Sequence, residues 1–461
     1  MKLLIKLMFL LTFASMAIFG QVSNVETRVD DYIRSQMSTQ KIPGMAIAVV
    51  KDGKPLIVKG YGLANVELSV AVKPETIFQS GSMGKQFTAA AVMLLVEEGK
   101  VSLDEKINKY VGTVPDAWKD ISVRQVLTHT AGMPNDFSDT DYVQNWTEDQ
   151  LLAKAKAMPL DFKPGTNWSY SNVGYVVLGI MVGKVSGKFY GDFLQERIFK
   201  PLGMTTTRII SEADIVPNRA AGYRLEKGEL KNQEWVSPTM NTTADGSIYW
   251  SILDLVKWDA AITKGQVLKP SSWASVYTPV KLTNGSTYPY GFGWGLYTVN
   301  GKRLIEHGGS WQGFKTAISR YVDDGLTVIV LANLAQADPG VLSHGVAEIV
   351  APELIERPIK DDESSTTAAH RKLLESAIAG SLNKDLFSSG AQTDLLPRLE
   401  SNREQLKAFG PIEKFELLQR IREALTMRHR YLVKFKEQLA IFGVVLDDQG
   451  KIAGLRIQPK Q

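Results

Sequence analysis

Ser82 and Lys85 are the two residues of this chain whose types and spacing most clearly allow chemistry. In a helix, side chains three positions apart lie on one face, one turn from each other. A serine hydroxyl needs a nearby base to act as a nucleophile, and a lysine shielded from water can lose its proton near neutral pH. If a helix begins at Ser82, the pair predicts an acyl-enzyme on the serine at the positive end of that helix.

The same Ser-x-x-Lys spacing occurs three times, at Ser38–Lys41, Ser82–Lys85 and Ser381–Lys384. Only the second opens a long apolar helix, over 87–98, directly after a predicted β segment. The other interpretation of Ser82 is a helix N-cap, a position that serine fills well.

Tyr170-Ser171-Asn172 is the only Tyr-x-Asn in the sequence, and it follows a turn-rich loop. A tyrosine in such a loop can relay a proton beside a lysine, and Asn172 can donate to a substrate carbonyl. The structural alternative is a buried tyrosine followed by an asparagine that caps the next helix.

His307-Gly308-Gly309-Ser310 stands at the end of a predicted strand. Two glycines allow a close approach to the backbone, and a strand edge can pair with an extended substrate. We therefore expect His307, Gly309 and Ser310 beside the substrate, with the Ser310 and Ser82 amides stabilising an oxyanion. The alternative is a β-turn with an exposed histidine.

Composition excludes several other chemistries. The chain has no cysteine, so thiol nucleophiles and cysteine metal sites are excluded, and its five histidines show no metal-ligand spacing. The net charge of +4 over 461 residues, without a basic run, argues against a nucleic-acid partner. We expect no cofactor and no metal, and a small molecule or short peptide as substrate.

The N-terminus predicts export. Lys2 and Lys6 precede an apolar run from Leu7 to Phe19 that small residues follow, which is the pattern of a secretory signal peptide. The run is short for a membrane span, so we expect cleavage near residue 20, no stable membrane insertion afterwards, and a bacterial periplasmic or secreted location. An uncleaved anchor is the alternative.

The elements that must position these residues follow from periodicity. A helix over 22–38 precedes a β-hairpin with an Asp52-Gly53 turn. Helices with long connections follow up to about residue 285, and four short strands and a closing helix over 341–355 complete residues 21–356. We predict a linker at 357–367 and a small α+β accessory domain at 368–461, helical first and then strand-rich.

The three motifs, in this order, resemble the serine β-lactamase and penicillin-binding-protein superfamily. The similarity is greatest to its class C β-lactamase-like branch of carboxypeptidases and esterases. Phe78–Lys85 and Leu127–Pro134 carry it together with Tyr170-Ser171-Asn172, and it covers about residues 25–355. The resemblance implies an α/β (α+β) fold with a five-stranded antiparallel sheet flanked by helices, plus an all-helical subdomain. It also implies that Ser82 is the nucleophile, Lys85 its base or base partner and Tyr170 the second proton carrier.

The chain departs from that family at His307, which stands where many members have the lysine of a Lys-Thr-Gly box. A histidine is only partly charged near pH 7, so the departure weakens the β-lactamase interpretation and leaves general acyl transfer intact. The expected substrate is a D-amino-acid peptide, a β-lactam or a carboxylic ester, with Asn172 binding its amide. We interpret His129 as structural. The competing hypothesis is a non-catalytic envelope binding or sensor protein on the same scaffold.

Overall fold

The structure is a computed structural model that describes residues 24–209, 213–423 and 425–460. The predicted signal peptide, residues 1–20, lies outside the described residues. No helix within the described ranges is long and apolar enough to cross a membrane. The chain forms two compact units. The first contains the residues up to Val280 together with Pro289–Leu354, and the second contains Lys281–Tyr288 and the residues from Ile355 onward.

Short and long strands alternate with helices through most of the chain before residue 355. The strands are β1 (Gly44–Lys51), β2 (Lys54–Asn65), β3 (Val70–Ala71), β4 (Ile77–Gln79), β5 (Arg208–Ile209), β6 (Tyr223–Glu226), β7 (Glu229–Asn232), β8 (Ile248–Ser251), β9 (Val280–Lys281), β10 (Thr287–Tyr288), β11 (Gly295–Val299), β12 (Lys302–Trp311), β13 (Phe314–Tyr321) and β14 (Leu326–Ala332). The helices are α1 (24–40), α2 (Lys85–Glu97), α3 (Asn108–Val111), α4 (Val123–Leu127), α5 (Glu148–Ala157), α6 (Asn172–Ser186), α7 (Tyr190–Leu194), α8 (Ile252–Thr263), α9 (Pro270–Val276) and α10 (Pro339–Val350).

The main sheet has the strand order β11-β12-β13-β14-β1-β2-β3. The β1–β2 hairpin turns at Asp52 and Gly53, which both have positive φ as a tight hairpin turn requires. In β1, the odd-numbered residues from Met45 to Val49 belong to one apolar core and the even-numbered residues from Ala46 to Val50 to the other. Both faces of the sheet are therefore covered, which explains why β1 and β14 are continuous apolar runs.

Helices on the two faces differ in role. Side chains of α1 and α10 pack in the core on one face, whereas α2, α6 and α8 contribute to the larger core on the other. The larger core includes Phe87, Trp250 and Trp258, all fully buried, and the Phe87 and Trp258 ring centroids lie 4.2 Å apart. This core fixes α2, the helix that follows Ser82.

The predicted fold class, an antiparallel sheet flanked by helices with a small C-terminal α+β domain, is confirmed. Two details of the expectation were wrong. Among the described residues the sheet has seven strands, not five, because the two-residue β3 and the short β11 extend its two edges. The region between α2 and α8 is also not all helical, because β4, β8 and β5 pair there as a second small sheet.

The second unit has its own apolar core. Its elements are α11 (Ser364–Ala379), α12 (Ser389–Ser401), α13 (Arg403–Lys407), β15 (Ile412–Glu423), β16 (Thr426–Phe435), β17 (Leu439–Leu446) and β18 (Ile452–Lys460). The four strands form one antiparallel sheet in chain order. The segment Lys281–Tyr288 belongs to this unit. Burial raises the pKa of Tyr288 to about 12, and the nearby Glu423 adds to the rise.

One local prediction for this part of the chain was wrong, and one strand was not predicted. The predicted linker over 357–367 is not irregular throughout, since α11 begins at Ser364, with Glu363 as its N-cap. Ile359 donates its backbone N–H to the Leu417 carbonyl (2.8 Å). The strand β15 was not predicted, because its register shifts between Leu417 and Gln419 interrupt the two-residue alternation.

Candidate active site

The turn that carries Ser82 is held on several sides by the residue that precedes it. Ser80 donates its backbone N–H to the Ile248 carbonyl (2.7 Å) and its hydroxyl to the Gly246 carbonyl (3.1 Å). Its own carbonyl accepts from the Thr316 hydroxyl (2.7 Å). Ser80 is fully buried, so these contacts fix the backbone from which the Ser82 hydroxyl projects.

Ser82 lies in a single 3₁₀ turn, Gly81–Gly84, and the α-helix α2 begins only at Lys85. The prediction that the helix begins at Ser82 was therefore early by three residues. The consequence for the pair is small, because side chains three positions apart also align in a 3₁₀ turn. Gly81 has φ +51°, and a Cβ there would lie 2.3 Å from the Ser310 nitrogen. Only glycine allows strand β12 to approach this closely.

Lys85 is fully buried and uses its three donor positions on three different groups. Its Nζ donates to Ser82 Oγ (3.1 Å), to Asn172 Oδ1 (2.6 Å) and to the backbone carbonyl of Asp245 (2.7 Å). Burial lowers the pKa of Lys85 to about 8, although the negative charges of Asp245 and Asp136 act in the opposite direction. The amine is thus close to losing its proton at neutral pH while in contact with the serine hydroxyl.

Tyr170 lies beside the same amine. Lys85 Nζ is 4.9 Å from the centroid of the Tyr170 ring. The phenol oxygen is buried and has no hydrogen-bond partner of good geometry among the described residues. Burial raises the pKa of Tyr170 well above its usual value. The neighbouring Ser82 hydroxyl lowers this pKa by a smaller amount. The structure therefore brings Ser82, Lys85 and Tyr170 together, with the phenol protonated.

Asn172 is the first residue of α6, whose N-cap is Ser171. The Ser171 hydroxyl accepts from the Gly174 N–H (2.9 Å) and donates to the Pro134 carbonyl (2.7 Å), which fixes the start of the helix. The Asn172 amide is shared between two partners. Its oxygen accepts from Lys85, and its nitrogen donates to Asp136 Oδ1 (2.8 Å).

His307 joins a chain of hydrogen bonds that ends at the backbone on both sides. The Ser171 N–H donates to His129 Nδ1 (3.0 Å), so the neutral His129 ring carries its hydrogen on Nε2 and donates to the Tyr290 oxygen (3.2 Å). Tyr290 lies 2.9 Å from His307 Nε2, and His307 Nδ1 lies 2.6 Å from the Gly308 carbonyl. A carbonyl only accepts, so His307 Nδ1 carries the hydrogen and Tyr290 donates to Nε2.

Both histidines of this hydrogen-bonded chain, His129 and His307, are neutral at physiological pH. Burial lowers the pKa of His307 to about 4, with a further contribution from the charge of Lys85. Burial also lowers the pKa of His129 well below its usual value. His129 has φ +59°, an uncommon conformation for a residue other than glycine. These contacts agree with a structural role for His129, because neither of its ring nitrogens is available to a substrate.

Gly309 and Ser310 lie where β12 meets the Ser82 turn. A Cβ on Gly309 would lie 2.0 Å from the Ser80 carbonyl oxygen, so a larger residue there would displace the strand. The β11–β12 pairing ends at Glu306, whereas β12 continues to pair with β13 as far as Trp311. Beyond Glu306, the edge of β12 that faces β11 therefore has no strand paired with it among the described residues. Ser82 and Ser310 both line a cleft with about 520 Å³ of space.

Three residues near the site were missed by sequence reasoning. Asp136 and Asp245 line the cleft, and Tyr290 connects the two imidazoles. Asp136 follows the Leu127–Pro134 motif by two residues, which is a local signal that could have marked it. Asp245 and Tyr290 lie in irregular segments far along the chain, and nothing in their immediate sequence distinguishes them.

The sequence profile of the family described as Beta-lactamase matches residues 29–351, which is more than half of the chain. The chain belongs to the beta-lactamase family. The resemblance inferred from the motifs is therefore confirmed, and the cleft at Ser82 lies inside the part of the chain that the beta-lactamase family profile covers.

Characterised and solved proteins of similar sequence agree with this membership. Penicillin-binding protein 4* of Bacillus subtilis (strain 168) is 29% identical over 311 residues, which are 62% of this chain and 67% of that protein. Protein flp of Staphylococcus aureus (strain MRSA252) is 28% identical over 340 residues, 70% of this chain and 66% of that protein. The chain thus spans about two thirds of the length of each of these relatives.

A solved structure extends the similarity beyond the beta-lactamase family segment. The octameric penicillin-binding protein homologue from Pyrococcus abyssi superposes with a TM-score of 0.63 at 25% identity. The superposition covers 94% of this chain and 98% of that one. Together the comparisons support serine hydrolase activity in general terms for this beta-lactamase family member.

Proposed function

We propose that this protein is a serine hydrolase that cleaves a small amide or ester through an acyl-enzyme on Ser82. In the first step the Ser82 oxygen forms a bond to the substrate carbonyl carbon, and the hydroxyl proton moves to Lys85. Collapse of the tetrahedral intermediate breaks the bond to the leaving group, which takes up a proton. Water then attacks the acyl-enzyme and releases the acid. The contact of 3.1 Å between Lys85 Nζ and Ser82 Oγ carries this proposal.

The other two contacts of Lys85 support its role as the base. Asn172 Oδ1 and the Asp245 carbonyl accept two hydrogens of the amine and cannot donate to it. When Lys85 loses its proton, the two remaining hydrogens stay on these oxygens and the lone pair faces Ser82. With a pKa of about 8, a useful fraction of the amine is in this form near neutral pH.

Tyr170 is better suited to donate a proton than to remove one. Its raised pKa keeps the phenol protonated at neutral pH, so a phenolate base would be rare. The Tyr170 hydroxyl has no hydrogen-bond partner among the described residues, so it is available to a leaving group. We therefore assign to Tyr170 the transfer of a proton to the leaving group, with Lys85 restoring it.

The oxyanion of the intermediate requires donors aimed at one point. The backbone amides of Ser82 and Ser310 are the candidates, because both residues line the cleft and Ser310 packs directly on Gly81. Asn172 and the free stretch of β12 from His307 onward would hold the substrate backbone. Because His307 is neutral, this cleft lacks the fixed cation that suits a substrate carboxylate, which favours amides and esters without one.

A serine-reactive fluorophosphonate tests the proposal directly. Intact-mass analysis should show one added phosphonyl group, and peptide mapping should place it on Ser82. Ser82→Ala is expected to abolish labelling and turnover, whereas Ser381→Ala, at the third Ser-x-x-Lys, should leave both unchanged. The labelling rate should rise with pH through about pH 8 as Lys85 loses its proton.

A folded protein that is not labelled, and that hydrolyses none of a panel of p-nitrophenyl esters, D-amino-acid amides and nitrocefin, would contradict the proposal. That outcome would favour a binding or sensor protein on the same scaffold. Labelling with turnover of one of these three classes would instead name the substrate: a D-amino-acid peptide, a β-lactam or a carboxylic ester.

We also propose that the protein is exported and that its N-terminal segment is removed near residue 20. The support is the sequence pattern at Lys2 to Gly20. Fractionation of a bacterial host should place the protein in the periplasm or medium, with a mature N-terminus close to Gln21. A full-length chain in the membrane fraction would indicate an uncleaved anchor instead.

A further inference from the structure

The Asp245 carbonyl that accepts from Lys85 lies in a turn over residues 244–246, just before β8. This turn belongs to no helix or strand, so no helical or ladder hydrogen bond fixes its backbone. Side chains from the Ser82 turn and α2 hold it instead. Lys85 Nζ donates to the Asp245 carbonyl (2.7 Å), and the Ser80 hydroxyl donates to the Gly246 carbonyl (3.1 Å).

Thr88 binds the remaining carbonyl of this turn, although it takes no part in the proposed reaction. Its hydroxyl donates to the Ala244 carbonyl (2.6 Å). Thr88 is fully buried and lies three positions after Lys85 in α2, so the two side chains share one face of the helix. A helical threonine commonly turns its hydroxyl back to a carbonyl of its own helix. A bond across to the turn therefore requires a group that directs the hydroxyl.

Tyr190 directs the Thr88 hydroxyl. The two side-chain oxygens lie 2.6 Å apart, and both residues are buried. The Ala244 carbonyl can only accept, so the single hydrogen of the Thr88 hydroxyl goes to Ala244 and the phenol donates to Thr88. Burial raises the pKa of Tyr190 well above its usual value, so the phenol keeps its hydrogen at neutral and mildly alkaline pH. The hydroxyl of Thr88 is thus held in one orientation.

The hydrogen bond at the Ala244 carbonyl controls where the Asp245 carbonyl points. The peptide unit between the two residues is planar, so a donor that fixes its carbonyl also fixes the Cα of Asp245. The next carbonyl along the chain is the one that accepts from Lys85. Ala244 also packs closely on α6, because a Cβ on Gly179 would lie 2.2 Å from the Ala244 Cβ. The turn is therefore held between α2 and α6, the helices that carry Lys85 and Asn172.

We propose that Thr88 is a positioning residue for the base, and that its hydroxyl holds the turn so that the Asp245 carbonyl stays on Lys85. The inference rests on the proposed function of Ser82 and extends it to a residue that does not line the cleft. While the Asp245 carbonyl is in place, the lone pair of the neutral amine faces Ser82. When the carbonyl is displaced, the amine loses one of its three partners and can turn its lone pair away.

The pH dependence of acylation reports on this arrangement. Among the described residues, the titratable groups around the Lys85 amine are Asp245, Asp136, Tyr170, Tyr175, His129 and His307. The tyrosines are protonated and the histidines neutral near pH 8, so Lys85, with a pKa of about 8, is the group that titrates there. A carbonyl that accepts from the amine favours its charged form. Displacing the Asp245 carbonyl should therefore lower the pKa of Lys85.

Saturation labelling of the full-length protein with the fluorophosphonate tests the proposal. Thr88→Val removes the hydroxyl and keeps the shape of the side chain. We expect the maximal labelling rate, kinact, to fall at least about tenfold at pH 9, and the midpoint of its pH profile to move below that of the wild type. The half-saturating concentration, KI, should change by less than about twofold, because Thr88 does not line the cleft. Thr88→Ser restores a hydroxyl and should restore both kinact and the midpoint.

Thr327→Val is the matched control. Thr327 is a buried threonine of the same unit, and its hydroxyl donates to Asp259 Oδ1 (2.8 Å). Neither of these two residues lines the cleft. The control variant should lose stability in urea, as Thr88→Val does, and should keep the wild-type kinact and midpoint. The same kinetic change in both variants would overturn the proposal, because a loosened fold would then explain it.

Tyr190→Phe provides a second test that applies even if Thr88→Val does not fold. Without the phenol, the Thr88 hydroxyl can turn back to a carbonyl of its own helix, so kinact should fall about threefold and the midpoint should move in the same direction. If the wild type is labelled on Ser82 and every folded variant matches it, this inference fails and the proposed function stands. If the wild type is neither labelled nor active, both fail.

Discussion

Each unit of the protein buries two histidines against a tyrosine, and the two clusters differ in how completely their polar atoms are paired. In the first unit, His129 and His307 flank Tyr290. In the second, His370 and His429 have ring centroids 4.7 Å apart, and His370 Nδ1 lies 2.8 Å from the Tyr431 hydroxyl.

The first cluster is a closed chain. Backbone groups of Ser171 and Gly308 terminate it at its two ends, so each ring nitrogen has a partner and each tautomer is fixed. The second cluster is open, because His429 Nδ1 is buried without a hydrogen bond among the described residues. Burial lowers the pKa of His370 to about 4 and also lowers the pKa of His429.

Burial alone therefore does not separate the cluster at the proposed site from the other cluster. Both sites contain the same residue types, and both shift the histidine pKa values in the same direction. Only the first is next to a buried lysine in contact with a serine hydroxyl. The completeness of hydrogen bonding and the neighbouring amine, rather than the shifted pKa values, distinguish the two.

The largest expected effect contrasts one lysine from each unit. Lys85→Ala should slow acylation of the protein by a fluorophosphonate or p-nitrophenyl acetate at least about 100-fold, because the proton acceptor is lost. Lys384→Ala removes the exposed lysine of the third Ser-x-x-Lys, in the second unit, and should leave the rate within about twofold. Stopped-flow acylation rates measure both. Similar rates for Lys85→Ala and the wild type would separate Lys85 from the reaction.

An intermediate effect compares the two tyrosines. Tyr290→Phe leaves a nitrogen of each flanking histidine without a partner and should destabilise the first unit by about 1–3 kcal/mol. Tyr431→Phe leaves only one buried nitrogen, His370 Nδ1, without its partner, so it should cost the second unit less, about 1 kcal/mol.

Separate readouts are available for these two variants. All nine tryptophans lie between Trp118 and Trp311, so fluorescence during urea unfolding reports on the first unit alone. Hydrogen exchange of peptides beyond residue 355 reports on the second. Equal losses for Tyr290→Phe and Tyr431→Phe would show that the closed chain is not the stronger arrangement.

The smallest expected effect is on pH dependence. A histidine whose pKa is lowered in the folded state stabilises the fold above pH 6.5, and this contribution is lost as the pH falls toward about 4. Each such histidine changes the stability by up to about 1.4 kcal/mol per pH unit. His429→Phe removes one titrating group and its unpaired nitrogen, so it should flatten this decline in the second unit.

Hydrogen exchange of the second unit between pH 7 and pH 4.5, corrected for the intrinsic pH dependence of exchange, measures the decline. The matched variant His344→Phe, in the first unit, should leave the second unit's profile unchanged. An identical profile for His429→Phe and the wild type would show that His429 does not contribute to the decline.

The parts of the site that could be predicted from the sequence are those whose geometry is local. Ser82 and Lys85 share one turn, and Tyr170 and Asn172 share the N-terminus of α6, so residue spacing alone places each pair. Asp245 and Tyr290 join them only through loops whose course depends on the packing of the whole first unit. No local periodicity encodes that proximity.

The elements of the fold that could be predicted are likewise those that the local sequence determines. The hairpin at Asp52-Gly53 and the longer helices follow from turn chemistry and apolar spacing. The strand β15 escaped prediction, because a register shift interrupts its alternation. The two-residue β3 was too short to show a pattern, and its position depends on pairing with β2.

The assignment of Lys281–Tyr288 to the second unit has a consequence for biosynthesis. The ribosome makes this segment before it has made the residues from Ile355 onward that complete the unit. At about 5–20 residues per second, those last roughly 100 residues take about 5–20 s to emerge. During that interval Tyr288 lacks its neighbour Glu423, so a nascent chain stalled after residue 355 would leave this segment open to chaperones and proteases.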